Sequence, residues 1–464
     1  MNEKIHIYHT NDLHSHFENW PKIVHYINSR KLVHKQSDET MLLFDIGDHV
    51  DRFNEISEAT FGKVNVVFLN KLGYNNVTIG NNEGITLSHD SLNTLYDAAK
   101  FPVIAANLYY INGERPKWIK PYDIHTLPGG IKIGVIGATI NYSKLYELLG
   151  WKVEDPFMVL GPLLKELKEK TDCVVMLSHL GISEDERLAS TFPEIDVILG
   201  GHTHHLLEKG KVIGKTLLCG AGKYGMYVGH VELTFNSEQK KLLKTNATVV
   251  STELQKECLD TVKELKGLSL ESKNILDEEI IVLNEGLDSD WFNENRLNKH
   301  LASALKEWCN SEIAMVNAGV LLDSLPKGKV SKGDIHRICP HPINPCKLEL
   351  KGDALREIIN EANTVKMQYH KIKGLGFRGE IMGRMIYDGV EYNTEALSDG
   401  LEHVRDIYIN GDQLDPERLY SVATIDMFTF GFFYPEMAHA ANKEYYMPEM
   451  LRDLLAWKLR KLKY

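Results

Sequence analysis

Short apolar runs alternate with longer stretches of helical character across residues 1–250. Each run ends abruptly at Gly, Asn, Asp or His. Because the runs are short, nearly continuous and rich in β-branched residues, they are typical of strands that are buried on both faces. The eight runs span residues 5–8, 41–46, 76–79, 103–106, 133–136, 173–177, 197–199 and 217–219. The pattern predicts an α/β domain over residues 1–250, with helices in the spacers.

The pattern changes near Ser251. Thr252 and Gln255 form a capping-box signature, and Gly267 is suited to end a helix. The apolar residues Leu254, Cys258, Val262 and Leu265 fall on one helical stripe. We therefore predict a linking helix over residues 251–274. The apolar runs after it are separated by turn signals, which predicts a smaller α+β domain over residues 275–464.

Length and composition fit two globular domains. The chain has 464 residues, about three times the size of a typical domain of ~150 residues. Lys and Arg number 53 against 64 Asp and Glu, so the net charge of −11 argues against a nucleic-acid or anionic-membrane binder. No apolar run approaches the ~18–20 residues that span a bilayer. The six cysteines form no CxxC pair and no secretory leader precedes the first strand, so we expect a cytoplasmic protein with reduced thiols.

Residues able to bind metal ions follow five of the predicted strands. In chain order they are Asp12, His14, Asp48, Asn81, His179, His202 and His204. Since the carboxyl ends of strands share one edge of a layered α/β sheet, these segments can converge on one site. In extended backbone, the pairs at positions 12 and 14 and at positions 202 and 204 would direct their side chains to the same side.

This set of residues predicts a two-metal centre. A carboxylate such as Asp48 can bridge two divalent ions that lie ~3.5–4 Å apart. Asn81 supplies a neutral oxygen, and the three late histidines suit Mn²⁺, Zn²⁺, Fe or Co²⁺ better than Mg²⁺ or Ca²⁺. A single histidine beside a glycine is more often a turn residue than a ligand, so the prediction rests on all five strand ends together.

At these residues the chain resembles the 5′-nucleotidase family of calcineurin-like metallophosphoesterases. The matching motifs are Thr10-Asn11-Asp12-Leu13-His14-Ser15-His16, Gly47-Asp48, Gly80-Asn81 with Glu83, Ser178-His179-Leu180-Gly181 and Gly201-His202-Thr203-His204. The family's substrate-binding domain is matched by Asn317-Ala318-Gly319, Gly333-Asp334-Ile335, Asn344-Pro345, Leu350-Lys351-Gly352 and Tyr420-Ser421-Val422-Ala423-Thr424. The resemblance implies a four-layer αββα metallophosphoesterase domain, followed by a smaller α+β domain that binds the substrate.

The resemblance also implies how the ligands divide between two ions. One ion would be held by Asp12, His14, Asp48 and His204. The other would be held by Asp48, Asn81, His179 and His202, with Asp48 as the bridge. Every ligand position of the family is present.

The chain departs from the family at the catalytic histidine. The family usually has a histidine after the ligand asparagine and an aspartate three residues later, where this chain has Asn82 and Ile85. Asn82 can donate hydrogen bonds to a phosphoryl oxygen, but it cannot give up a proton to the leaving group. His49 and His16 are candidates to replace that acid.

The second departure is in the substrate pocket. The family's arginine is missing after Asn317-Ala318-Gly319, and the usual Gly-Gly-Asp is replaced by Gly431-Phe432-Phe433. The aromatic pair that sandwiches a base is replaced too, at the approximate positions of His341 and Met427. The candidate substrate contacts are Asn344, Arg337, Arg378, His341, Met427 and Phe433. The two arginines suit anion binding, and solvated surface charge explains them equally well.

The sequence therefore predicts a dimetal-dependent phosphoesterase that hydrolyses phosphate esters of nucleotides or related compounds by attack of a metal-bound hydroxide. An alternative is a metal-binding nucleotide sensor with weak or no hydrolysis, because the catalytic histidine is replaced by Asn82. A structural or scaffold role is a third interpretation. The expected partner is a small phosphate ester, and the sequence leaves the oligomeric state open.

Overall fold

A computed structural model describes residues 2–396, 402–431 and 433–462. The chain divides into two compact units, Met1–Ser272 and Lys273–Tyr464.

The first unit alternates strands and helices along most of its length. Its strands are β1 (Asn2–Thr10), β2 (Thr40–Asp45), β3 (Asn76–Val77), β4 (Val103–Ile104), β5 (Leu108–Tyr110), β6 (Ile119–Lys120), β7 (Tyr122–Thr126), β8 (Lys132–Thr139), β9 (Trp151–Val153), β10 (Cys173–His179), β11 (Val197–Gly200), β12 (Lys211–Ile213), β13 (Thr216–Gly220), β14 (Tyr227–Asn236) and β15 (Lys241–Ser251). Its helices are α1 (Trp20–Gln36), α2 (Glu55–Thr60), α3 (Lys63–Leu72), α4 (Asn81–Thr86), α5 (His89–Leu95), α6 (Ser143–Leu148), α7 (Pro156–Lys170), α8 (Ile182–Thr191) and the first fourteen residues of α9 (Leu259–Leu276).

Two mixed sheets contain the eight predicted strands. The larger sheet has the order β15-β14-β1-β2-β3-β4-β6, and the smaller has the order β12-β13-β11-β10-β8-β7. Strands β1 to β4 run parallel to one another, as do β8, β10, β11 and β13. The sequence pattern missed the antiparallel pair β14 and β15, which extends the larger sheet beyond β1.

The first unit has four layers. Ile5 and Phe44 of the larger sheet share a core with Val175 and Leu199 of the smaller sheet. The other face of the smaller sheet packs with residues of α7 and α8, while α1 buries apolar residues such as Trp20 and contacts β2 of the larger sheet. Helix, sheet, sheet and helix therefore follow one another, which agrees with the expected αββα arrangement.

The linking helix is shifted from its predicted position at 251–274. Residues 252–255 form a turn, in which the Thr252 hydroxyl donates to the carbonyl of Gly225 at 2.7 Å, and the helix α9 begins only at Leu259. Leu254 is 92% exposed, so it does not belong to a buried stripe. Gly267 lies inside α9 in open space, where it weakens the helix by only about 1 kcal/mol and does not end it.

The second unit combines one five-stranded sheet with smaller sheets and helices. Its strands are β16 (Glu279–Leu283), β17 (Ile313–Asn317), β18 (Gly328–Ser331), β19 (Pro345–Lys351), β20 (Met385–Asp388), β21 (Val390–Ala396), β22 (Glu402–Ile409), β23 (Asp412–Gln413), β24 (Leu419–Ile425) and β25 (Lys443–Tyr445). Its helices are α10 (Arg296–Trp308), α11 (Lys332–Ile338), α12 (Gly352–Ala362), α13 (Val365–Gln368), α14 (Pro435–Ala438) and α15 (Leu451–Arg460). The main sheet has the order β20-β17-β24-β19-β25.

Candidate metal centre

All seven predicted ligand residues lie at or just after the carboxyl ends of strands in the first unit. Asp12 and His14 follow β1, Asp48 follows β2, and Asn81 begins α4 shortly after β3. His179 is the last residue of β10, and the remaining pair of histidines, at positions 202 and 204, follows β11. The two sheets thus contribute loops to the same site.

The loop backbone differs from the extended form that the sequence suggested. Five of the seven residues have left-handed backbone, with φ of 51° at Asp12, 47° at His14, 50° at Asp48, 72° at His202 and 58° at His204. Such a conformation costs a non-glycine residue about 1–3 kcal/mol, and it concentrates at functional sites where the surroundings enforce it. Here Asp12 N–H donates to the carbonyl of Gly47, and His14 N–H donates to that of Asp48.

One group of donor atoms is formed by Asp12, His14 and His204. The Nε2 atoms of the two histidines are 3.2 Å apart, and His204 Nε2 is 3.4 Å from Asp12 Oδ1. His14 Nε2 is also 3.6 Å from Asp48 Oδ2. These are the four residues that the resemblance assigns to one ion.

A second group is formed around His179. Its Nδ1 donates to the carbonyl of Ile46 at 2.7 Å, so Nε2, which lies 3.4 Å from Asp48 Oδ2, is the nitrogen that can bind an ion once its proton is released. The donor atoms of Asp12, Asp48 and His179 all lie within 4.8 Å of one another. Buried His179 Nε2 has no hydrogen-bond partner within the described ranges.

Asn81 and His202 form the remaining pair. Asn81 Oδ1 lies 2.8 Å from His202 Nδ1. The opposite nitrogen, His202 Nε2, is 3.2 Å from the hydroxyl of Tyr142, which the sequence analysis did not identify as a site residue. Burial, and then the charge of His179, lower the pKa of His202 to about 4, so its ring is neutral at pH 7.

The buried carboxylates attract positive charge to this site. Burial alone would raise the pKa of Asp48, but His179 and His14 lower it below its usual range. Burial opposes the charge of His179, yet Asp48 and then Asp12 raise its pKa to about 10. Divalent ions bound to the same atoms would supply this charge instead, and their binding would release protons.

The Glu83 carboxylate joins the loop after β2 to the loop after β3 by hydrogen bonds. Its Oε2 accepts from the backbone N–H groups of Asp48 at 3.0 Å and Gly80 at 2.9 Å, and its Oε1 accepts from Val50 N–H at 2.8 Å. The sequence motif contained Glu83 but gave no role for it. Its place three residues after Gly80, at the start of α4, is the signal of a helix-capping carboxylate.

Asp51 orients one of the candidate ligands, and sequence reasoning missed it. This fully buried carboxylate lies 3.1 Å from His14 Nδ1. A carboxylate at that nitrogen fixes the tautomer in which Nε2 is free to bind a metal. Its position three residues after Asp48 is the only signal that the sequence offers.

Replacing Asp51 with Asn is expected to weaken Mn²⁺ binding about 10–100-fold. Asp51 Oδ1 accepts from Phe53 N–H at 2.9 Å, so the introduced amide would keep its oxygen there and direct its NH₂ group, which accepts no hydrogen bond, toward His14 Nδ1. The apparent Mn²⁺ dissociation constant from calorimetry checks this. Asp196→Asn is the matched control, since Asp196 is also a buried carboxylate that accepts a backbone hydrogen bond, from Val174 at 2.9 Å, but lies outside the site. Equal Mn²⁺ affinity in the Asp51 variant and wild type would contradict the orienting role.

The residues considered for acid catalysis have different surroundings. Asn82 N–H donates to Asp48 Oδ1 at 2.7 Å, and its buried side-chain amide lies 3.1 Å from His14 Nδ1. His49 is buried against Trp20, and burial lowers its pKa to about 3, so its ring is neutral at pH 7. His16 is more exposed and packs on Tyr224, with 3.8 Å between ring centroids.

His341 and Met427 are core residues in the second unit. Both are 0% exposed. His341 Nε2 donates to the carbonyl of Val320 at 2.9 Å, its Nδ1 accepts from Arg378 N–H at 2.9 Å, and its ring stacks on Phe377. Burial lowers the pKa of His341 to about 3. Neither side chain exposes a surface on which a base could stack in this structure, and their contact with a substrate stays a prediction.

The other predicted substrate contacts have structural partners as well. The Asn344 amide donates to the carbonyl of Glu449 at 2.7 Å. Phe433 is 9% exposed and packs edge-on against His370. Phe432 lies outside the described residues.

Arg337 and Arg378 remain predicted anion contacts. Arg337 is about half exposed and forms an ion pair with Asp323. The Arg378 guanidinium donates to the carbonyl of Phe377 at 3.3 Å.

The comparison with known families decides the class of the chain. The sequence pattern of the calcineurin-like phosphoesterases matches residues 5–206, and that of the C-terminal domain of 5′-nucleotidases matches residues 278–432. An uncharacterized metallophosphoesterase of Bacillus subtilis (strain 168), YunD, is 50% identical over 99% of this chain and 100% of its own. The chain belongs to the calcineurin-like metallophosphoesterases. It is a metal-dependent phosphoric ester hydrolase, which confirms the predicted family and class of reaction.

Two solved structures show the same fold at low identity. The 5′-nucleotidase precursor from Thermus thermophilus is 19% identical, with a TM-score of 0.60 over 99% of this metallophosphoesterase and 96% of that chain. The NAD nucleotidase of Haemophilus influenzae is 16% identical, with a TM-score of 0.66 over 99% and 96%. Both confirm the two-domain architecture. None of the described helices is long and apolar enough to pass through a membrane.

Proposed function

We propose that this metallophosphoesterase hydrolyses phosphate esters of nucleotides, using two divalent ions held by the seven strand-end residues. The observation that carries the proposal is the meeting of two groups of three donor atoms, each within 4.8 Å, with Asp12 in both groups. A nucleotide substrate is supported by the match of residues 278–432 to the C-terminal domain of 5′-nucleotidases.

The residues fit divalent ions of the Mn²⁺, Zn²⁺, Fe or Co²⁺ class. Carboxylate, amide and imidazole donors together suit these ions better than Mg²⁺ or Ca²⁺. His179 Nε2 is the most direct indication, because a buried imidazole nitrogen lacking a hydrogen-bond partner in the described part of the chain is placed to ligate. Two ions bound there would supply an activated water and neutralise charge on the phosphoryl group.

The chain's own residues set the geometry around the phosphate ester. Asn82 N–H holds Asp48 Oδ1, which leaves Asp48 Oδ2 to face the rings of His14 and His179. The Tyr142 hydroxyl holds the ring of His202. The amide of Asn82 can donate a hydrogen bond to a phosphoryl oxygen, but it offers the leaving oxygen no proton.

A screen of phosphate release tests the proposal. Metal-free protein is supplied with Mn²⁺ and offered nucleoside mono-, di- and cyclic phosphates, with sugar phosphates as non-nucleotide controls. We expect release from at least one nucleotide at a higher kcat/KM than from the sugar phosphates, and loss of release on chelation with EDTA. Preference for a sugar phosphate would refute the nucleotide assignment, and release that persists in EDTA would refute the metal requirement.

Asn82 also supports a second candidate, a nucleotide sensor that binds without useful turnover. The absence of a proton donor at position 82 is the observation that favours it. Calorimetry distinguishes the two functions: a sensor binds a nucleotide in the presence of Mn²⁺ and releases no phosphate, whereas a hydrolase releases it.

We also propose that the protein works in the cytoplasm. All six cysteines are free thiols, and five of them are buried. Thiols in this number suit a reducing compartment. Fractionation of cells that produce the full-length protein would test this.

A further inference from the structure

A second group of potential ligands lies beside the middle of strand β1, away from the candidate dimetal centre at the carboxyl end of that strand. It consists of His6 on β1, His34 in the last turn of α1 and Glu39 just before β2. We refer to these three residues as the α1 cluster. His6 and Thr10 are four strand residues apart, about 13 Å at 3.3 Å per residue, and the loop with Asp12 begins only after Thr10.

The spacing of the α1 cluster matches that of ligands around one small ion. Glu39 Oε2 lies 3.1 Å from His34 Nδ1 and 3.2 Å from His6 Nε2. Bonds of about 2.0–2.1 Å at tetrahedral angles place neighbouring ligand atoms about 3.3 Å apart. The three donor atoms all lie within 4.8 Å of one another. The rings of His6 and His34 stack with 4.0 Å between centroids and 23° between planes, so one ring must turn to direct both nitrogens at the same ion.

One ring nitrogen of the α1 cluster makes no hydrogen bond to any described residue. His6 is 5% exposed, and its Nε2 has no hydrogen-bond partner among the residues that the structure describes. Its contact with Glu39 meets the distance of an ion pair but not the geometry of a hydrogen bond. An unpartnered imidazole nitrogen beside two further donor atoms is available to bind a metal ion.

The opposite ring nitrogens already have partners. His6 Nδ1 is 3.0 Å from His230 Nε2, and His34 Nε2 is 3.0 Å from the Tyr8 hydroxyl. The Tyr8 hydroxyl in turn accepts from Arg30 Nε at 3.0 Å. Partners of this kind fix the tautomer and orientation of metal-binding histidines. The nitrogens that remain are the two that lie within 3.2 Å of the carboxylate.

The charges around the α1 cluster also suit a cation. Burial, and next the charge of His34, lower the pKa of His6, which keeps its lone pair at pH 7. The Glu39 carboxylate supplies negative charge, and its side chain is 29% exposed, so an ion can exchange with solvent. The Glu232 carboxylate also favours positive charge at His6. Lys4 forms an ion pair with Glu232 at 3.1 Å.

We propose that His6, His34 and Glu39 bind a third divalent ion, of the Zn²⁺ class, which has a structural role separate from the dimetal centre. Two imidazoles and one carboxylate favour Zn²⁺, Co²⁺ or Ni²⁺ over Mg²⁺ and Ca²⁺. The ion joins the end of α1 to the first strand of the larger sheet, and water completes its coordination from the exposed side of Glu39. Bound zinc therefore stabilises the folded chain.

Metal counting tests the proposal on the full-length protein after removal of any affinity tag. Protein is equilibrated with excess Zn²⁺, desalted, and analysed for zinc per chain. We expect a value one lower in His34→Gln than in wild type, with the rate of Mn²⁺-dependent phosphate release unchanged. His25→Gln is the matched control, because His25 lies on the same helix outside the cluster, and its zinc content should equal that of wild type. Equal zinc content in His34→Gln and wild type would overturn the proposal.

A second variant and a second readout remain informative if His34→Gln fails to fold. Glu39→Gln changes a partly exposed residue and is expected to remove the same single zinc ion. In the Asp48→Asn background, which lacks the bridging ligand of the dimetal centre, added Zn²⁺ should still raise Tm, and the further change Glu39→Gln should lower that rise. Zinc-edge anomalous scattering should place a peak between His6, His34 and Glu39, and zinc peaks confined to the strand-end site would contradict the third ion.

Discussion

Replacing Asp48 with Asn is expected to lower Mn²⁺-dependent phosphate release by roughly 10³-fold or more, because the bridge between the two ions would be lost. Asn82 N–H donates to Oδ1 of this carboxylate, so the oxygen of the introduced amide would keep that hydrogen bond. The NH₂ group of the introduced amide would then face His14 and His179, where the wild-type chain offers a ligand oxygen. Initial rates of phosphate release at saturating Mn²⁺ measure the effect.

Asp38→Asn is the control for this substitution. Asp38 also has left-handed backbone, with φ of 57°, but it is exposed. The same chemical change in the same backbone conformation should therefore leave the rate at the wild-type value. A full rate in the Asp48 variant would show that hydrolysis does not depend on the bridging carboxylate.

Restoring the acid is expected to increase the rate for esters with poor leaving groups. We predict that Asn82→His combined with Ile85→Asp raises kcat for a nucleoside 5′-monophosphate about 10²-fold, at the lower end of the contribution of general acid catalysis. A nitrophenyl ester should change little, since its leaving group needs no proton. The dependence of kcat on leaving-group pKa, measured for both proteins, should therefore become shallower in the double variant.

Asn82→Ala serves as the comparison for the double variant. It removes the side-chain amide, adds no acid, and keeps the backbone N–H that holds Asp48. It should lower the rates for both esters by similar factors. An equal increase in the rates of hydrolysis of the nitrophenyl ester and the nucleotide by the double variant would show that position 82 does not limit the rate by lacking a proton donor.

The strand ends could be predicted from the sequence because each one couples a short apolar run to a polar stop. Asp48 after β2 and His179 at the end of β10 are found from that pattern alone, and parallel order in a sheet brings such ends together. The left-handed backbone at Asp12 and His14 could not be predicted from the sequence. It is held by hydrogen bonds that their N–H groups donate to the loop after β2, which is distant in sequence. The side chains still converge, but by a route that extended strands would not give.

The substrate contacts of the second unit could not be predicted from residue type. His341 and Met427 were selected by approximate alignment with a base-stacking pair, yet both are fully buried. Aromatic and apolar residues line pockets and cores alike, so residue type alone does not separate the two. The helix predicted over 251–274 was misplaced for a related reason, because Leu254 fits an apolar stripe by spacing but is 92% exposed.

The α1 cluster could not be predicted from the sequence either. His6, His34 and Glu39 come from a strand, a helix and a turn, and no motif joins them. Only the packing of α1 on the larger sheet brings their donor atoms within 4.8 Å.

Five loops of the first unit are proposed to hold two divalent ions for phosphoester hydrolysis. Anomalous scattering at the manganese edge, from crystals of the full-length protein grown with Mn²⁺, tests it most directly. We predict two peaks about 3.5–4 Å apart, one among Asp12, His14, Asp48 and His204 and the other among Asp48, Asn81, His179 and His202. A single peak there, or manganese bound only elsewhere in the chain, would contradict it.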